Sequence, residues 1–199
     1  LASMVKEFGG IPKILRVASD NELDIYNILN SSTDCDLIIT TGGVSVGKYD
    51  LIQKALENFS RNKTEFWKIA MRPGKPLLFS KINKTPLIGL PGNPVSSGVC
   101  CLIFVNIAIR SMLGDTNEFP IFENAILNGE LSQNDQRFDF VRANINYRSG
   151  NAYVTPITKQ DSSMITKFSY SDCLITREPF DKIKSDGDIV KIFKFPNNI

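Results

Sequence analysis

Three short segments carry side chains and backbone suited to holding oxyanions. The first, TTGGVSVGKYD over residues 40–50, gathers Gly42, Gly43, Ser45 and Gly47 ahead of Asp50. Gly42 to Lys48 fits the opening of a phosphate loop, GxxxxGK, but Tyr49 stands where a Ser or Thr hydroxyl would meet magnesium. That tells against an NTPase loop. A glycine turn at the carboxyl end of a buried strand leaves backbone N–H groups able to hold an anion or a pterin-like ring edge. A plain tight turn from strand to helix explains the same residues, and both readings stand. Asp50 is either a carboxylate at the mouth of that turn, suited to magnesium, or a helix N-cap with Gln53 three positions on. Asp20 has the same two readings, because Ser19 with Glu22 also resembles a capping box.

The second segment, FWKIAMRPGKP over 66–76, places Lys68 and Arg72 four apart. On one strand they share a face, with Ala70 between them, and converge on an oxyanion; a solvated edge face is the alternative. The third, GLPGNPVSS over 89–97, ends a strand and starts a helix. Asn93 is placed as N-cap and Pro94 as the first helical residue, so the N–H groups near Val95 and Ser96 are expected to point outward.

The elements that must position these segments alternate. Leu1 to Phe8 reads as a helix stopped by Gly9-Gly10, Ile11 to Val17 as a strand and Asn21 to Asn30 as a helix. Asp36 to Thr41 has the continuous β-branched character of a buried parallel strand. A helix from Asp50 to about Phe59, extended segments Glu65–Met71, Pro76–Lys81 and Pro86–Leu90, and a long apolar helix Pro94–Leu113 follow. The expectation is a layered α/β domain with a mostly parallel sheet over residues 1–116. Beyond Gly114 the texture changes to short strands between Gly, Asn, Asp and Ser turns: Phe122–Leu131, Phe138–Tyr147, Ala152–Ile157, Cys173–Arg177 and Asp188–Phe195. Residues 117–199 therefore read as a small β barrel or sandwich.

Composition removes whole reaction classes. The 199 residues contain no histidine, so no Ser-His-Asp triad, Cys-His dyad, HExxH zinc site or proximal-His haem can be built within this chain. Proton transfer near neutral pH falls to carboxylates, lysines, a perturbed thiol or bound water. A net charge of +2 gives no reason to expect nucleic acid or an acidic membrane as partner. The four cysteines, Cys35, Cys100, Cys101 and Cys173, form no CxxC and suit neither zinc nor a disulfide framework. The sequons at Asn30, Asn58, Asn62 and Asn83 read as incidental, and the compartment as reducing cytoplasm. The apolar run Val99–Ile109 is too short to span a bilayer.

Taken in order and spacing, TTGGVSVGKYD, FWKIAMRPGKP and GLPGNPVS closely resemble the molybdopterin molybdenumtransferase family (MoeA and the gephyrin E domain), and the match runs nearly to the C-terminus. The resemblance implies a three-layer molybdopterin-binding α/β domain of the MoCF or MogA-like kind, followed by a small all-β barrel. It implies magnesium-dependent insertion of molybdate into adenylylated molybdopterin with release of AMP. Carried over by motif, Asp50 matches the functional aspartate after the glycine turn, and Asp20 an aspartate of the preceding loop once a single deletion is allowed. Both would then ligate the metal. Lys68 and Arg72 match the basic pair. Pro91, Pro94 and Ser96 match the GLPGNPVS loop, while Arg142 of FDFVR and Ser162 of KQDSS match residues associated with molybdate and the cleft. The family also implies a homodimer with its site between subunits, an adenylyltransferase supplying the substrate and apo-molybdoenzymes receiving the product.

Two rival readings remain: an adenylyltransferase-like domain, which carries a GGTG-like turn and no GLPGNP loop joined to a barrel, and a non-catalytic scaffold of the same fold. The chain opens at Leu1 inside a helix, without the family's first two domains or the acidic GDEL-type segment. The expectation is half a cleft, with little or no molybdenum insertion by residues 1–199 alone.

Overall fold

The computed structural model describes residues 1–43, 51–59, 66–116, 120–158, 160 and 165–196. The chain opens with helix α1 (Ala2–Glu7) and α2 (Glu22–Asn30), then strand β1 (Ile38–Thr41), helix α3 (Leu51–Glu57) and the two-residue strands β2 (Phe66–Trp67) and β3 (Met71–Arg72). Strands β4 (Leu78–Ile82) and β5 (Thr85–Leu90) lead to a continuous helix composed of α4 (Pro94–Cys100), a π-helical stretch Cys101–Val105 and α5 (Asn106–Met112). There follow β6 (Glu123–Leu127), β7 (Phe138–Arg148), β8 (Asn151–Pro156), α6 (Ile165–Ser169), β9 (Cys173–Arg177) and β10 (Ile189–Lys194).

The first sheet has the order β1-β5-β4-β2. Its core splits by strand alternation. Leu78, Ile82 and Leu87 face Leu29, Ile52, Leu56 and Phe59 of α2, α3 and the turn that ends α3. Ile88 and Leu90 face Val95, Val99 and Leu102 of the long helix. The result is three layers: helices, sheet, helix.

The expected mostly parallel sheet needs correction. Only β1 and β5 pair in parallel, while β4 pairs antiparallel with both β5 and β2. The cause is the two-residue connection Asn83-Lys84, in which Asn83 takes a left-handed φ of 56°. Such a turn folds the chain back as a hairpin. The segment Ile11–Val17 is likewise not a strand. It has no ladder partner among the described residues, and Ile11 is 98% and Val17 92% exposed. β-branched residues favour strands only where a neighbouring strand supplies hydrogen bonds and packing.

Strands β7, β8, β6, β10 and β9 form a ring, closed by a second pairing of β7 with β9. This five-stranded barrel encloses Leu127, Ala143, Val154, Cys173, Ile175 and Ile192. Its outer face is not independent of the first sheet. Phe140, Leu174 and Phe193 pack into the same cluster as Met4, Leu77 and Val99.

The 19-residue helix Pro94–Met112 is, among the described residues, the one helix long and apolar enough to cross a membrane. The helix has the length expected for Pro94–Leu113, and over that length its mean hydropathy, unlike the uninterrupted run Val99–Ile109 taken alone, reaches what a membrane crossing needs. Of its most apolar stretch 67% is buried inside the fold, which makes it the core helix between sheet and barrel.

Candidate functional site

The parallel neighbours β1 and β5 both end in glycine turns, and the two turns touch. The Gly42 N–H donates to the Leu90 carbonyl at 3.1 Å. A Cβ built on Gly92 would lie 3.4 Å from the Gly42 Cα, so the backbones meet with no side chain between them. Gly43, with φ of 67°, could not carry a Cβ without approaching Ile52 Cγ1 to 2.9 Å. Glycine there satisfies both the left-handed backbone and the packing of α3. The carboxyl ends of parallel strands are where open α/β sheets place their ligands.

Asp20, Thr40, Gly42 and Gly43 line one cleft of about 1640 Å³. Thr40 Oγ1 is buried and has no hydrogen-bond partner among the described residues, an acceptor and donor left open beside the turn. Asp20 does not take part in capping α2. That position belongs to Asn21, whose Oδ1 accepts from the Leu23 and Asp24 N–H groups at 2.9 and 3.2 Å. Ser19 is engaged with Asp24 instead, at 2.8 Å through both N–H and hydroxyl. The Asp20 carboxylate is exposed at the cleft. Ser45, Gly47, Asp50 and Ser162 lie outside the described residues.

The third segment departs from expectation. Asn93 does cap α4, with Pro94 at the first turn, but its Oδ1 takes the Val95 and Ser96 N–H groups, each at 3.1 Å. These donors are therefore satisfied within the fold rather than turned outward. Ser96 is 7% exposed, and the Ser97 hydroxyl donates to the Pro91 carbonyl, tying the Pro91-Gly92 turn to the helix.

Lys68 and Arg72 do not share a strand. Lys68 has a left-handed φ of 71°, which ends β2 and turns the chain out of the first sheet. Its N–H donates to the Leu77 carbonyl and that of Ile69 to Lys75. Two residues later β3 joins the second sheet, parallel to β7, in the register Met71↔Phe138 and Arg72↔Asp139. Arg72 Nε donates to Asp139 Oδ2 at 3.1 Å, Nη1 to Asp135 Oδ2 at 3.1 Å and Nη2 to Asn134 Oδ1 at 3.3 Å, with Nη2 also on Asp139 Oδ2.

Arg142 is 1% exposed. Its N–H and Nε donate to Gln160 Oε1 at 3.0 and 3.3 Å, and the Gln160 amide returns to the Arg142 carbonyl at 3.0 Å. Asp139 and Arg142, three apart on β7, lie on opposite faces of the strand. Arg72 and Arg142 are therefore not gathered on one face. Asp139 and Gln160 were missed by sequence reasoning although both stand inside the motifs FDFVR and KQDSS; a carboxylate alternating with apolar residues at a strand start was the available signal. Burial pushes the thiols of Cys100, Cys101 and Cys173 up to about 12, so none of these three offers a thiolate nucleophile at neutral pH.

A family described as "Probable molybdopterin binding domain" matches residues 1–111, and one described as "MoeA C-terminal region (domain IV)" matches 124–195. The chain belongs to the molybdopterin molybdenumtransferase family. Among relatives so named, that of Haemophilus influenzae is 35% identical over 185 residues, covering 91% of this chain and 45% of the relative. That of Bacillus subtilis is 32% identical over 171 residues, covering 85% and 39%. The chain thus spans less than half the length of these two relatives. In fold, it superposes on a molybdopterin biosynthesis MoeA protein of Pyrococcus horikoshii with a TM-score of 0.77 at 22% identity, over 97% of this chain and 46% of that one. A molybdenum cofactor biosynthesis protein of Pyrococcus furiosus gives 0.75 at 22% identity, over 98% and 62%.

Proposed function

We propose that this chain carries part of the machinery of molybdenum cofactor biosynthesis that inserts molybdate into adenylylated molybdopterin and releases AMP. The observation that carries the reading is the cleft where the Gly42–Gly43 turn, packed backbone to backbone on Gly92, meets Asp20 and the open Thr40 hydroxyl. A substrate with phosphates and a planar ring system needs close backbone approach and unpaired polar groups, which two touching glycine turns supply. The match of 124–195 to the MoeA C-terminal region favours this over an adenylyltransferase-like domain.

The donor chemistry fits a magnesium ion. Asp20, Asp34 and Asp36 place exposed carboxylates along the cleft, beside the exposed cations Lys13, Arg16 and Lys84 and the half-buried Cys35, and the chain offers no imidazole. Hard oxygen donors of this kind suit Mg²⁺. Asp20, with Asp50 by the family motif, would hold it, and the chemistry it would supply there is polarisation of the phosphoanhydride. Lys68, which is exposed, supplies positive charge toward an oxyanion, and the family motif associates Arg142 and Ser162 with molybdate and the cleft. In this reading the protein works in the cytoplasm as a homodimer, takes its substrate from a molybdopterin adenylyltransferase and hands its product to apo-molybdoenzymes. With a net charge of +2, it needs neither nucleic acid nor membrane.

The test is calorimetric titration of adenylylated molybdopterin with Mg²⁺ into the 199-residue protein. Asp20→Asn and Gly42→Val are each expected to weaken binding by about tenfold or more, the order expected for losing a charge-assisted contact. Unchanged affinity in both variants would remove the cleft from the site. In reconstitution of an apo-molybdoenzyme, residues 1–199 alone are expected to give little or no molybdenum insertion, and full activity would overturn that expectation.

A further inference from the structure

Asp139 is 6% exposed, and only one of its oxygens is used. Oδ2 accepts from two nitrogens of Arg72, while Oδ1 is buried with no hydrogen-bond partner among the described residues. The Arg72 side chain, by contrast, is 47% exposed. All three of its guanidinium nitrogens donate to groups of the second sheet and the loop before it: Asp139, Asp135 and Asn134. The pair closes where the chain has just crossed between sheets. Lys68 leaves the first sheet, Met71 N–H donates to Ile69, and Phe138 N–H donates to the Ala70 carbonyl at 2.9 Å. A buried carboxylate that lost this guanidinium would be an uncompensated charge, and an ammonium group cannot copy a planar cation that places two nitrogens on Oδ2 while reaching Asp135 and Asn134.

We propose that Asp139 is a positioning residue. It clasps Arg72 and thereby fixes the Lys68–Arg72 segment between the two sheets, so that Arg72 acts by holding the segment in place and Lys68 is the cation it presents to the oxyanion. The inference rests on the reading above that this segment serves an oxyanionic substrate.

The experiment is a double-mutant cycle in the 199-residue protein on Arg72→Lys and Asp139→Asn, read by amide exchange at Phe138 and by titration with molybdate and adenylylated molybdopterin. Each single variant is expected to speed exchange at Phe138 by about tenfold. The double variant should go no further than the larger single effect, since the two side chains form one contact. Each should also weaken oxyanion binding, and Lys68→Ala should cost less in the Asp139→Asn background than in the wild type. Loss of general stability alone would not produce that coupling to Lys68. Urea denaturation of each variant is the control for folding: a clasp that fixes only this segment should speed exchange at Phe138 by more than the loss of global stability accounts for. If Arg72→Lys weakens binding while Asp139→Asn changes neither exchange nor binding, Arg72 meets the anion itself and the clasp is wrong. Additive exchange effects would also sink it. If the wild-type chain binds neither probe, the functional reading fails, while the exchange cycle still decides whether Asp139 fixes the segment.

Discussion

Asp135 sits between two guanidinium groups, and its carboxyl shows what they do. The Arg137 side chain donates to it at 2.7 Å, its backbone N–H donates at 2.8 Å, and the Arg72 charge lies beside it, so the group is held at about 2 rather than the usual 3.8. A depressed carboxylate contributes stability that is present above the unfolded value of 3.8 and lost as pH falls through about 2. Following the side-chain carboxyl carbon by NMR should give a midpoint near 2, and Arg137→Ala should raise it toward 3.8. A midpoint that stays put in the variant would show that Arg137 is not the cause. Residue by residue, the sequence was a partial guide. Asn93, Pro94 and the Gly42–Gly43 turn stand where their types and spacing place them. What Arg72 and Arg142 bind was not legible, because their partners, Asp139 and Gln160, are 67 and 18 residues away in the chain. Nor does any local pattern announce a left-handed Lys68, whose φ is set by the chain leaving one sheet for another.

At the level of elements, the long helix is shaped by what lies against it. A Cβ at Gly98 would come within 2.6 Å of Phe168 Cε1 and 2.8 Å of Cζ, so the short helix α6 seats its ring directly on the helix backbone. Gly98→Ala should destabilise the protein by about 1–3 kcal/mol through overpacking, even though alanine is the better helix former. Urea denaturation checks this, and a variant as stable as the wild type would mean that Phe168 moves aside freely. The five barrel strands were legible because each is a short run set between Gly, Asn, Asp and Ser turns. Helix α6 was not, since five residues carry too little periodicity. The segment Ile11–Val17 shows the opposite failure. Its composition reads as a strand, yet strand identity depends on a neighbour, and none of the described strands stands beside it.

Across the whole molecule, the sheet with its helices and the barrel share apolar interior. Met4, Leu77, Val99 and Cys101 pack in one cluster with Phe140, Phe168, Leu174 and Phe193, and β3 of the first part adds a strand to the barrel's sheet. That layout was foreshadowed by the change of texture near Gly114, but its interlocking was not, because β3 is only two residues long and its partner lies 67 residues further along the chain. The peptide joining the two parts is therefore not what holds them together. Severed at the junction and expressed as two polypeptides, 1–116 and 117–199, the two pieces should find each other and co-elute as one noncovalent particle, the second closing with Phe140, Phe168, Leu174 and Phe193 an interior built mostly by the first. Independent elution of two folded halves would show that the shared cluster and β3 are too weak to act as a fastening. If they do assemble, the chain is a natural split protein, and its reassembly could be used to report whether two fused partners meet.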